Sequence, residues 1–150
     1  MPFHLSVRAV VAMIVFATVS ILIGARLAAA GGWRSLAERY PAPQSSPAEV
    51  ERYRFCSLRM AGGPVGGATY ESCVTIGLGE AGILLALWAP FRLFHPPLRI
   101  PWSAVETCTA QELSWGRSVR VGLRGGGSFQ AYGNAADAIL RWWTERGFAA

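Results

Sequence analysis

The sequence predicts a mainly β protein of the α+β kind, carried on an N-terminal helix that crosses a membrane. Three observations carry this prediction. The 17 residues between Arg8 and Arg26 hold no charge and no proline, apolar residues recur at every second position from Val50 onward, and the chain ends in a segment with a helical apolar stripe. Composition agrees, with 52% apolar and 15% charged residues, the latter well below the roughly one quarter of soluble domains. A chain of 150 residues holds one ordinary core and an accessory segment, not two sizeable cores.

The first segment, AVVAMIVFATVSILIGA, spans about 25 Å as a helix, and LAAA beyond Arg26 lengthens it toward the roughly 30 Å of a hydrocarbon core. Residues 1–30 are therefore read as a transmembrane anchor, with Arg26 snorkelling to the interface. The charged start and the small residues Ala28, Ala29 and Ala30 also fit a signal peptide cleaved before Gly31, although its apolar core is longer than the usual 7 to 15 or so. Arg26, Arg34 and Arg39 after the span, against Arg8 before it, place the domain on the cytoplasmic side of the cell inner membrane in a single pass. The reverse orientation is the alternative. Residues 31–49 read as a juxtamembrane linker because of their glycines, Pro41, Pro43, Pro47 and the run Gln44-Ser45-Ser46. Trp33, Leu36 and Tyr40 fall at helical spacing, which predicts a short helix either at headgroup level or packed on the domain.

Residues 50–150 form the β domain. VERYRFCSLRM and TYESCVTIGL read as strands on either side of the loop AGGPVGGA. A hairpin symmetric about Pro64 and Val65 sets Tyr53 opposite Ile76 and Phe55 opposite Val74 on the core face. It also sets Cys56 opposite Cys73 on the other face, about 4.5 to 5.5 Å apart, so an oxidising compartment would join them and a reducing one would leave two thiols. After the turn Gly79–Gly82, ILLALWAPF is about half the 20 or so residues of a membrane span, and so reads as a strand apolar on both faces. Pro90 ends it, FRLFHPP is a turn or edge strand, LRIPW resumes, and Ser103 leads into VETCTAQEL. RSVRVGLR points Val119, Val121 and Leu123 inward and Ser118, Arg120 and Arg124 outward, and Gly125-Gly126-Gly127 turns it into SFQAY. In NAADAILRWWTERGF, Asn134 is the expected N-cap, Asp137 favours the helix dipole and Gly147 terminates the helix. Ala136, Ile139, Leu140 and Trp143 form the stripe that covers an open end of a closed sheet. Trp88, Trp102, Trp115, Trp142 and Trp143 are expected in that core and its cap.

Ile76–Trp102, with IGLGEAGILLAL followed by FRLFHPPLRIPWSAV, resembles a family of uncharacterised bacterial membrane-anchored proteins. Their pattern is a strand, a Glu-Gly turn and an HPPL-IPW-S segment; with the GWRSLAERYPAP tether the likeness covers most of the chain after residue 31. It implies fold and membrane association, not chemistry. About seven strands followed by one amphipathic C-terminal helix also resembles, by topology, the pleckstrin-homology-like barrel. That resemblance implies phosphoinositide binding through clustered Lys and Arg in the first hairpin; here Arg52, Arg54 and Arg59 are present and lysine is not.

The candidate chemistry is sparse. Cys56, Cys73 and Cys108 form no CxxC pair and have no His-rich company, so neither a metal nor another cofactor is expected. The loop AGGPVGGA lacks the GK[ST] of a phosphate loop. His95, between Phe94 and Pro96, is expected to cap a turn rather than act as a base. Glu106 and Glu112 share a strand face but lie about 20 Å apart, too far for a glycosidase pair. No catalytic constellation results, and a non-enzymatic role is expected. The net charge of +5 comes from scattered arginines, which argues against nucleic-acid binding. Arg117, Arg120 and Arg124 are the candidates for contact with an anionic surface. The expected role is a membrane-anchored interaction domain whose partner is another protein or the bilayer. The alternative is a secreted or periplasmic protein released by signal cleavage, with Cys56 and Cys73 bonded.

Overall fold

The structure is a computed structural model, which describes residues 6–43, 51–63 and 66–147. Helix α1 (Val7–Ala30) is long and apolar enough to cross a membrane; its most apolar stretch has a mean hydropathy of 2.3 and stands clear of the rest of the molecule. A helix satisfies its own backbone hydrogen bonds, so it needs no protein neighbour to remain folded in lipid. A short helix α2 (Trp33–Arg39) follows. Then come β1 (Glu51–Ala61), β2 (Ala68–Gly79), β3 (Gly82–Leu87), β4 (Leu98–Ile100), β5 (Val105–Leu113), β6 (Gly116–Leu123), β7 (Ser128–Tyr132) and helix α3 (Asn134–Glu145). The predicted Gln44–Ser46 linker run, the Pro64–Val65 tip and Val50 lie outside the described residues.

The seven strands form a single antiparallel sheet in the order β4-β3-β2-β1-β7-β6-β5, curled into a half-barrel. ILLALWAPF is therefore strand and turn, with β3 paired to β2 and β4 and nearly all of it buried. The expected closure is not reached, because β4 and β5 are the two edges of an open sheet. β4, only three residues long, is instead extended by the chain after α2: Pro41 bridges to Leu98, and the Arg99 N–H donates to the Tyr40 carbonyl at 2.9 Å. An edge covered in this way no longer offers its backbone to another sheet.

Side chains on the concave face make the core, with Leu58, Ile76, Leu85, Val121 and Phe129 fully buried. Two helices fill the opening that an unclosed sheet leaves. α3 lies across it with Ala135, Ala136, Ala138, Ile139, Trp142 and Trp143 inward. The buried stripe is broader than the sequence predicts, and Leu140 sits at its margin. Asn134 is the first helical residue rather than the cap, a place taken by Gly133 at φ 66°. Glu51, at the start of β1, clamps this helix: it accepts from Arg141 Nη1 and Nη2 at 3.0 and 2.8 Å, from Trp142 Nε1 at 3.0 Å and from the Tyr53 hydroxyl at 2.7 Å.

α2 enters the core from the other side. Trp33 is wholly buried, with Leu36 and Ala37 beside it, so of the two placements open to this helix the structure has the one packed on the domain. Arg39 donates to the carbonyls of Gly125 and Gly126 at 3.2 and 3.0 Å. That turn requires glycine, since Gly125, Gly126 and Gly127 all have positive φ. Gly63 is needed for a different reason: a Cβ there would stand 2.0 Å from the Ala30 carbonyl oxygen, so the end of α1 rests directly on the β1–β2 loop.

Candidate functional site: a cleft beside the first strand

β1 is longer than the strand on its far side. β2 runs along most of its length, whereas β7 pairs only Ser128–Ala131 with Leu58–Ala61 before the chain turns into α3. Over Arg54–Ser57 the edge of β1 that faces β7 has no strand against it among the described residues, and it opens onto a cleft of about 790 Å³. Phe55, Ser57, Glu71, Trp115, Tyr132 and Asn134 line it.

Two bulges shape the cleft wall. Tyr53 faces Ile76 as the alternation predicts, but Cys56 then faces Val74 and Leu58 faces Tyr70. β1 carries one extra residue between the first two pairs and β2 carries two between the next. The extra residues bring the two positive φ values outside glycine, Phe55 at 56° and Ser72 at 50°, a conformation costing roughly 1 to 2 kcal/mol per residue. The Ser72 N–H donates to Ser57 Oγ at 3.1 Å, which offsets part of that cost.

The first bulge corrects the predicted register. Arg54 and Phe55 both turn outward, and every residue after them changes face. Phe55, expected in the core opposite Val74, is 66% exposed at the cleft rim. Cys56, expected on the outer face opposite Cys73, instead shares the core face with Val74, while Cys73 points the other way beside Thr75. All three cysteines are free thiols, and a Cys56–Cys73 bridge would need the hairpin to change register.

Trp115 forms the opposite rim. It lies in the β5–β6 turn, 70% exposed, with its ring 5.5 Å from that of Tyr132. Trp102, Trp142 and Trp143 occupy the core as expected; Trp115 and Trp88 do not. Trp88 follows the last residue of β3 and Trp115 immediately precedes β6, so each stands just outside a strand, where no facing layer covers its side chain. The sequence marks Trp115 only by its place before Gly116, and a bulge at Phe55 has no signature in the alternation.

The three arginines singled out from sequence are not gathered into one face. Arg117 turns toward α3 and is held by Glu112 at 2.8 Å and Asp137 at 3.0 Å. Arg120 points outward across from Thr109 and Gln130, and Arg124 sits at the glycine turn, where its carbonyl accepts from the Tyr40 hydroxyl at 3.4 Å.

Burial governs the protonation of the three cysteines and of His95. Burial pushes up the thiols of Cys56 and Cys73, and that of Cys108 to about 11, the wrong direction for a thiolate nucleophile. His95 is buried; its Nδ1–H donates to the Phe91 carbonyl at 3.1 Å and its Nε2 accepts from the Tyr70 hydroxyl at 3.2 Å. Burial lowers its pKa and raises that of Tyr70 to about 12, so a neutral pair satisfies both groups. Among the described residues no cluster of three His, Cys, Asp or Glu could hold a metal ion. No protein-family model matches the chain, and no curated protein matches it.

Proposed function

We propose that the protein is a single-pass membrane protein whose β domain is a non-enzymatic interaction module, receiving an extended segment of a protein partner in the cleft beside β1. The observation that carries this reading is the uncovered edge over Arg54–Ser57 between two exposed aromatic rims, Phe55 and Trp115. A strand edge supplies main-chain hydrogen bonds to an incoming extended segment, and flanking aromatics supply anchor pockets for its side chains. The raised thiols and the fully engaged His95 support a non-catalytic role. The apolar and bare surface of α1 supports anchoring in the inner membrane, and the arginine bias around it supports a cytoplasmic domain. Ala28 is buried and the Ala30 carbonyl packs on Gly63, which favours an anchor retained with the domain over one cleaved before Gly31. The element order, seven strands and then a helix, accords with a pleckstrin-homology-like relationship.

Anchoring makes weak recognition effective by raising local concentration. The reading is tested with a photoreactive benzoylphenylalanine in membranes expressing the full chain. Placed at Phe55 it captures a second polypeptide; placed at the exposed Glu145 on α3 it does not. Trp115→Ala lowers the position-55 adduct several-fold. Equal capture at both positions, or indifference to Trp115, would overturn the proposal.

A further inference from the structure

The segment between β3 and β4 presents apolar side chains that the domain does not cover: Trp88, Phe91 and Leu93 are 58%, 51% and 72% exposed. The segment is nevertheless held firmly. His95 ties it to Phe91 and to Tyr70 on β2, and the rings of Trp33, Tyr70 and His95 meet edge-on at 5.3 to 5.5 Å. Trp33 Nε1 donates to the Pro96 carbonyl at 2.9 Å, and Arg92 Nε donates to the Leu87 carbonyl at 3.1 Å. Apolar groups fixed outward in this way signal a surface that covers them.

Position identifies that surface. The Phe94 ring lies 3.6 Å from where a Cβ of Gly24 would stand, and Arg92, Leu93, Phe94 and Pro96 share with Ala25 and Ala28 a hollow of about 350 Å³ at the foot of α1. Gly24 precedes Arg26 by two residues, about 3 Å along the helix axis. Phe94 therefore reaches past the first charge after the span, to the level where that span is still uncharged. Arg26 and Arg92 are exposed cations around the same place, and Arg34, also exposed, pairs there with Glu38 at 3.6 Å. Apolar tips with arginines set among them match the boundary between acyl chains and anionic headgroups.

We infer that the segment Trp88–Phe94 is a membrane-inserting prow. Phe91 and Leu93 enter the acyl-headgroup boundary beside α1, and Arg92 between them meets lipid phosphate. The domain is then seated against the bilayer at a fixed tilt instead of swinging on a tether, and α2, buried in the core, transmits that seating from the helix to the sheet. This inference rests on the reading that α1 spans the membrane, and it commits to lipid, not protein, as the occupant of this patch.

The test uses the full chain reconstituted in phosphatidylglycerol-containing vesicles with a diazirine on the phosphatidylcholine acyl chain, followed by photolysis, trypsin and mass spectrometry. Cleavage after arginine isolates the span as Ala9–Arg26 and the prow as Leu93–Arg99. Lipid adducts are expected on both peptides and not on Gly125–Arg141. Phe91→Gln combined with Leu93→Gln lowers the Leu93–Arg99 adduct several-fold and leaves that of Ala9–Arg26 unchanged. Adducts on the span without any on Leu93–Arg99 overturn the prow and leave the spanning reading intact. Absence from Ala9–Arg26 overturns both. Adducts equally on Gly125–Arg141, or a prow adduct indifferent to the double substitution, also overturn the inference.

Discussion

Two apolar runs of similar character, helix α1 and strand β3, end in opposite surroundings. Val11, Ile14, Phe16 and Leu22 of α1 are exposed, while Ile83, Leu85 and Leu87 of β3 lie in the core. The difference lies in the backbone. A strand must find neighbours for its N–H and C=O groups, so β3 is drawn between β2 and β4 and its side chains are covered on the way. A helix has no such need and can leave its whole surface to another solvent. Apolar composition alone thus says that a run avoids water; the need for backbone partners draws a strand into the sheet, whereas a helix is free of that demand.

Core truncation tests this contrast most severely. Leu85→Ala is expected to lower domain stability by about 2 to 5 kcal/mol, read as the urea midpoint of the full chain in detergent micelles by near-ultraviolet dichroism. Ile14→Ala is expected to change the same midpoint by less than about 0.5 kcal/mol. Equal costs at both positions would break the comparison.

A middle-sized effect is expected where α3 closes the sheet. The Arg141 guanidinium first, and then the Tyr53 hydroxyl, hold the Glu51 carboxyl at about 2 against an ordinary value of 4.5. A pKa lowered in the fold stabilises the fold above the ordinary value, and that stabilisation is lost as pH falls from about 4.5 toward 2. Glu51→Gln should cost about 1 to 3 kcal/mol at neutral pH and flatten the acid side of the stability profile. An unchanged acid limb in the variant would remove Glu51 as its source.

The smallest effect belongs to Arg117, half-exposed between Glu112 and Asp137. Arg117→Ala is expected to cost less than about 1 kcal/mol, and less still in high salt. A loss as large as that of Leu85→Ala would mean that these exposed charges, rather than the core, hold α3 in place.

Much of the fold was legible in the residues. The bare helix, the hairpin across three glycines, the inward Val119, Val121 and Leu123 and the amphipathic last helix all follow from spacing, because each is decided by neighbours close in the chain. The cleft was not legible. It depends on a bulge at Phe55 that preserves composition while reversing which face each later residue takes, and on β7 ending short of its partner. The grouping of Arg117, Arg120 and Arg124 failed for a related reason: alternation sends Arg117 to the side of Val119, where α3 supplies Asp137, a carboxylate 20 positions away.

What the sequence by itself determined is therefore periodic: where the chain is helix or strand, and which runs avoid water. What only the tertiary structure decided is relational. It sets Trp33 and His95 beside Tyr70, leaves one edge of β1 open, and brings Phe94 against α1 at Gly24. Those contacts join residues tens of positions apart, and their energies depend on the complete arrangement of layers around them, which no local pattern of side chains records.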